Sequence, residues 1–138
     1  SGPELERLKT QSSADVEFLG ARSDDEIRTL YRRARGVLLP GEEDFGIVAV
    51  EAMSCGTPVI GLARGGTTET IIEGTSGVLV KELTPNSFAA GIKQTLSFKF
   101  DTQAIRSHAL RFSRNRFMDA MRRCIEETAR TQKRNLTW

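Results

Sequence analysis

Carboxylates are the residues in this chain whose placement could do chemistry. Glu42, Glu43 and Asp44 follow the apolar run Gly36-Val37-Leu38-Leu39-Pro40 and precede Phe45-Gly46-Ile47. Glu51 then stands as the only formally charged side chain between Asp44 and Arg64. A carboxylate among Val48, Val50, Ala52 and Met53 is costly to desolvate unless it accepts hydrogen bonds. The hydroxyls of a bound sugar would supply them; the other reading puts Glu51 on the wet side of an amphipathic helix. Phe45-Gly46-Ile47 reads as the start of that helix. Its free N–H groups and positive dipole end favour an anion such as phosphate. The acidic loop also has a purely structural reading, because carboxylates are stabilised at a helix N-terminus with no ligand at all.

The surrounding pattern supplies the elements that must hold these groups. The run from Ile47 to Cys55 is too long for a typical strand, and Gly56 with Pro58 stops it as a helix is stopped. Short apolar runs at 16–20, 36–40, 58–61 and 78–80 read as strands. Ser23 with Glu26 makes a capping box for a helix from Asp24 to about Arg35, with Ile27, Leu30, Tyr31 and Ala34 on its buried face. Thr67 or Thr68 caps a short helix through Ile72. Thr84 followed by Pro85 starts another, with Phe88, Ile92, Thr95 and Leu96 inward. Arg64-Gly65-Gly66 reads as a tight turn. Beyond Phe98, residues Phe112, Phe117, Met121, Cys124, Ile125 and Thr128 share one helical face. Arg114, Arg116, Arg122 and Arg123 fall mostly off it. Alternating strands and helices predict an α/β fold with a doubly wound parallel sheet in residues 1–97, followed by basic C-terminal helices in 98–138.

Composition bounds the function. The chain has 138 residues, 38% of them apolar and 28% charged, as expected of one soluble globular unit. It has no apolar run long enough to span a membrane and no signal-peptide pattern at its start. A net charge of +2 gives no reason to expect nucleic acid. Cys55 and Cys124 do not make a disulfide framework, so a reducing, cytoplasmic setting is the simpler expectation. One His and two distant Cys give no metal-ligand spacing, and no metal or cofactor is expected. His108 lies in the weakly patterned tail and reads as an ordinary helix residue.

The stretch EEDFGIVAVEAMSCGTPVIG, with Glu43 and Glu51 separated by seven residues, resembles the signature of retaining GT-B glycosyltransferases, in particular family 4. ARGGTTETI after it, VEFLGARSDDEIRTLYRRA before it and the closing GTSGVLV agree in order and spacing, so the resemblance covers residues 1 to about 97. It implies a Rossmann-like, donor-binding half of a GT-B fold. It also implies that Glu43 reaches the donor sugar as the catalytic carboxylate. Glu51 would accept bonds from the ribose 2′- and 3′-hydroxyls, which suits a group with acceptors only. Gly46, Ile47 and Val48 would offer backbone N–H groups to the distal phosphate and sugar, with Phe45 beside them as packing or contact. Gly20, Ala21 and Arg22 would lie at the nucleobase, and Arg22 could stack on its plane. Arg64 is a possible local cation for the diphosphate.

The form EEDFGIVxVEA is closest to members that use GDP-mannose, and a UDP-sugar is the other donor expected. In the strand order 3-2-1-4-5-6 the four runs seen here are numbers 3 to 6. Their missing neighbours would leave run 16–20 unpaired and run 36–40 with an open apolar edge. The sequence therefore predicts a remnant of a longer protein, a partner chain that supplies the N-terminal domain, or a swapped oligomer. On that view the chain alone binds donor weakly and transfers nothing. A non-catalytic nucleotide-binding or assembly module is the alternative. The basic tail could lie on an anionic membrane at the inner face, pack on a partner domain or simply be solvated.

Overall fold

The computed structural model describes residues 2–135, with side-chain surroundings for residues 2–131. Three strands, β1 (Val37–Leu39), β2 (Val59–Leu62) and β3 (Gly77–Val80), form a parallel sheet in the order β1-β2-β3. These are the expected strands 4, 5 and 6, side by side. Val37 lies opposite Val59 and Leu39 opposite Gly61; Val59 in turn faces Gly77, and Leu62 faces Val80. All four residues of the central strand are buried, which is why it reads as a continuous apolar run rather than an alternating one.

Helices cover both faces. Between β1 and β2 runs α3 (Ile47–Ser54), and it buries Ala49, Ala52 and Met53. These pack with Leu39, Val59 and Ile71. On the other face, α5 (Pro85–Ser97) sets Phe88 against Ile60, Leu62 and Val80. Thr84 caps α5 by accepting from the Ser87 N–H at 3.2 Å, with Pro85 at the first helical position. A single turn, α4 (Thr67–Thr70), links β2 toward β3.

The core continues beyond residue 97. Helix α6 (Thr102–Ala109) is capped by Asp101 and packs on α3, with Ile105 and Ala109 in the same cluster as Met53. A 3₁₀ turn (Leu110–Phe112) leads into α7 (Arg114–Asn135).

Several expectations from sequence are corrected. Residues 16–20 form no strand: their conformation is irregular, with Val16 and Phe18 exposed. Strands exist by pairing, and no strand among the described residues lies beside them. The same lack of neighbours leaves β1 at a sheet edge, with Leu38 exposed. Helix α2 (Asp24–Arg33) has the expected capping box, with the Ser23 N–H donating to Glu26 at 2.9 Å. That backbone bond, with the Ser23 hydroxyl, holds the Glu26 carboxyl below its usual pKa. Yet α2 buries no residue fully, and Leu30 is exposed. In α5 Phe88 and Thr95 face inward as expected and Gly91 joins them, while Leu96 is exposed. The amphipathic α7 forms, but Phe117, Met121 and Ile125 are exposed. Phe112 leaves that face altogether and joins the 3₁₀ turn.

If α6 is integral to the core, Ile105→Ala should cost about 2–5 kcal/mol, because a fully buried branched side chain leaves a cavity. Denaturant unfolding measures it; a loss near zero would make α6 an appendage.

Candidate functional site

The loops that leave the C-terminal ends of β1 and β2 lie against each other. The Gly66 N–H donates to the Glu43 carbonyl at 2.6 Å, and Glu43 and Gly65 make a parallel bridge. That bridge keeps the offset of the Leu39–Gly61 pair, so the loops extend the sheet register beyond the strands. The approach needs glycine. A Cβ on Gly65, whose φ is +59°, would stand 2.5 Å from the Glu43 carbonyl oxygen. One on Gly66 would stand 2.5 Å from the Asp44 oxygen and from the Phe45 Cα. The tight turn read from these glycines is therefore a turn pressed onto the acidic loop.

Behind the turn, buried Thr67 shares its one hydroxyl proton between the Leu62 carbonyl and, at 2.8 Å, that of Arg64. Thr70 donates to the Gly66 carbonyl at 2.9 Å. The Leu62 and Gly66 carbonyls also accept backbone N–H groups, whereas the Arg64 carbonyl has only the Thr67 hydroxyl among the described residues. The carboxylates of Glu42, Glu43 and Asp44 remain exposed, and none makes an ion pair among the described residues. Arg64 is exposed beside Gly65 and likewise unpaired there.

The acidic loop delivers the chain into α3 through Gly46, which is buried with φ +79°. A left-handed cap is a conformation that glycine adopts at little cost. No side chain caps this helix. The Gly46 carbonyl accepts from the Ala49 N–H at 2.9 Å, so the N–H groups of Ile47 and Val48 precede the first intrahelical bond. Ile47 is 64% exposed and Val48 41%. The helix thus opens with two donors that have no partner among the described residues, a bare left-handed glycine and an apolar rim. That arrangement can hold the oxygens of a phosphate.

Glu43, Phe45, Gly46, Ile47 and Val48 are therefore brought together. Glu51 sits on a different side of α3, toward α2. Its carboxylate accepts a long bond, 3.4 Å, from the Tyr31 hydroxyl and lines a hollow with Asp24, Ile27, Arg28, Ser54 and Cys55. Burial pushes the Tyr31 pKa up, and the negative charge of Glu51 raises it further. Gly20 and Ala21 line a separate open hollow between α1 (Leu5–Gln11) and residues 17–19. Arg22 is held 3.5 Å from Glu26 at the start of α2. So these groups fall into three separate patches rather than one enclosed pocket.

Sequence reading missed Thr67, Thr70, Phe112 and His108, which support the loops from behind. The spacing Ile105, His108, Ala109 was the available signal, since those positions share one helical face. Among the described residues no group of three or more His, Cys, Asp or Glu could hold a metal ion, and no helix is long and apolar enough to cross a membrane.

Comparison with known proteins adds to this geometry. A family model described as "Glycosyl transferases group 1" matches residues 2–112. A D-inositol 3-phosphate glycosyltransferase of Mycolicibacterium vanbaalenii is 38% identical over 109 residues, which span 77% of this chain and 24% of that protein. A protein of the same name from Corynebacterium jeikeium is 35% identical over 91% of this chain and 32% of its own length. The chain thus spans about a quarter to a third of these relatives. Among solved structures, Anabaena HepE in complex with UDP-glucose superposes with TM-score 0.65 at 32% identity, over 93% of this chain and 36% of that one. Sucrose-phosphate synthase from Thermosynechococcus elongatus gives 0.61 at 32%, over 77% and 27%.

Two outcomes follow from the contacts. Gly66→Ala should destabilise the fold by about 1–3 kcal/mol through overpacking against Asp44 and Phe45, as read by denaturant unfolding. Tyr31 is the only tyrosine, so its ultraviolet titration is readable directly. Glu51→Gln should bring its midpoint down while leaving it above the ordinary tyrosine value, because burial remains. An unmoved midpoint would separate the two side chains.

Proposed function

The chain belongs to the group 1 glycosyl transferases, and on that premise we propose that it is the donor-holding part of a retaining hexosyltransferase with a GT-B fold. The observation that carries this reading is the opening of α3: unused N–H groups of Ile47 and Val48 beside a left-handed Gly46, with the Glu43 loop pinned next to them. The distal phosphate of a nucleoside-diphosphate hexose would take those donors. Glu43 would face the anomeric carbon and stabilise the positive charge that develops as the sugar–phosphate bond breaks. The acceptor hydroxyl oxygen then bonds that carbon, and its proton leaves with the nucleoside diphosphate.

On this reading Glu51 accepts from the ribose hydroxyls across the hollow it shares with α2, where Tyr31 already leans on it. The Gly20-Ala21-Arg22 turn borders the base. The UDP-glucose complex of the Anabaena neighbour supports a uridine donor. The EEDFGIVxVEA form speaks for GDP-mannose, so the two donors are the arms of the test. Transfer itself calls for an acceptor site, which we place on a further domain or partner chain, and for a cytoplasmic setting where nucleotide sugars are available.

Calorimetric titration of the chain with UDP, GDP, UDP-glucose and GDP-mannose tests the donor reading. We expect weak binding that prefers the uridine compounds. Glu51→Gln should weaken it by about 1–3 kcal/mol through loss of charge-assisted bonds. Glu43→Gln should leave nucleotide affinity nearly unchanged and slow transfer in the complete enzyme. Binding that ignores Glu51→Gln would remove this residue from the site, and no binding to any of the four would leave an assembly module.

A further inference from the structure

Glu43 and Phe45 belong to one exposed loop, and both trace back to a single side chain on α6. His108 is 7% exposed. Its Nε2 lies 2.7 Å from the Thr70 carbonyl oxygen. A carbonyl only accepts, so Nε2 carries the proton and donates. Thr70 in turn donates its N–H, at 3.0 Å, and its hydroxyl, at 2.9 Å, to the Gly66 carbonyl, and the Gly66 N–H donates to the Glu43 carbonyl at 2.6 Å. A second path is aromatic. The imidazole meets Phe112 edge to face, with centroids 5.5 Å apart and planes at 83°. Phe112 meets Phe45 the same way, at 5.8 Å and 75°.

We infer that His108 is a positioning residue that sets the acidic loop from both ends, through Thr70 and Gly66 at Glu43 and through Phe112 at Phe45. Neither path alone would do this. The hydrogen-bonded path fixes the Glu43 backbone but leaves the loop free to pivot about it. The aromatic path fixes the Phe45 ring, two residues on, and removes that pivot. Together they hold the Glu43 backbone and the start of α3 in a fixed relation. The loop's own side chains form no ion pair among the described residues, so its orientation comes from behind. The functional consequence rests on the donor reading of Glu43; the effect on the loop does not.

Amide NMR spectra of the chain, with and without UDP-glucose, test this in His108→Leu, His108→Gln, Thr70→Val and Phe112→Leu. His108→Leu should move the amide signals of Glu43, Phe45 and Gly66 and weaken UDP-glucose binding severalfold. His108→Gln still carries a donor, and should return Glu43 and Gly66 toward their native positions while Phe45 stays displaced. Thr70→Val should move Glu43 and Gly66 alone, and Phe112→Leu should move Phe45 alone. A His108→Leu protein that loses stability but keeps all three native signals would reduce His108 to packing and overturn the inference. Should that variant not fold, a native Phe45 signal in Phe112→Leu overturns it equally, because the inference needs both paths. If the unaltered chain binds no UDP-glucose, the donor reading fails, while the amide signals still decide the role of His108.

Discussion

The site depends on one backbone hydrogen bond, from the Gly66 N–H to the Glu43 carbonyl. It ties together the two loops that leave the sheet at neighbouring strand ends, and it does so in the register that β1 and β2 already set. Side chains are excluded from the contact by its closeness, hence the paired glycines at 65 and 66. With the loop held there, Gly46 must turn the chain back sharply into α3, and its left-handed conformation does so. The exposed acids, the bare helix start and the apolar rim of Ile47 and Val48 are consequences of that geometry. In an open α/β sheet, the crevice beyond the strand ends is where ligands are held.

Elements whose signals are local were legible in the sequence. The Ser23–Glu26 capping box, Thr84 with Pro85, and Gly56 ending α3 each specify a boundary through atoms within one turn of the chain, and the structure has all of them. Elements whose existence depends on a distant neighbour were not. Residues 16–20 have the composition of a strand but no ladder partner among the described residues. Leu30 and Leu96 lie on the apolar side of their helices by period, yet nothing described covers them. Periodicity says which side of a helix is apolar; it does not say what lies against that side. The same holds for α7, whose apolar row of Phe117, Met121 and Ile125 was read correctly as a row and stands exposed.

The supports behind the site show a different limit. His108, Thr70 and Phe112 come from α6, α4 and the 3₁₀ turn, and their convergence is a tertiary fact. In sequence, Phe112 fits the period of the following helix, and a lone His gives no pattern. What placed Phe112 against Phe45 instead is the break at Ser113, where the backbone leaves the helical conformation and α7 starts afresh. That break turns the ring inward. A residue two positions before a helix is not bound by its period.

The separation of Glu43 from Glu51 also has physical content. Glu43 lies before the helix and Glu51 on its second turn, about 7 Å along the axis from Gly46 at 1.5 Å per residue. The structure sets Glu51 against Tyr31 of α2, on a side of α3 that Gly46 does not line. No contact among those described joins the two acids, so a ligand that met both would have to reach from the acidic loop to the α2–α3 hollow. An elongated ligand would have to cross the start of α3 with its charged middle over the free N–H groups. It would present hydroxyls at each end, because both acids are acceptors only. A nucleoside diphosphate joined to a sugar has that order of groups: ribose hydroxyls, diphosphate, hexose hydroxyls. The same geometry makes the α2–α3 hollow as necessary to the donor reading as the acidic loop, since it is there that Glu51 must meet the ribose.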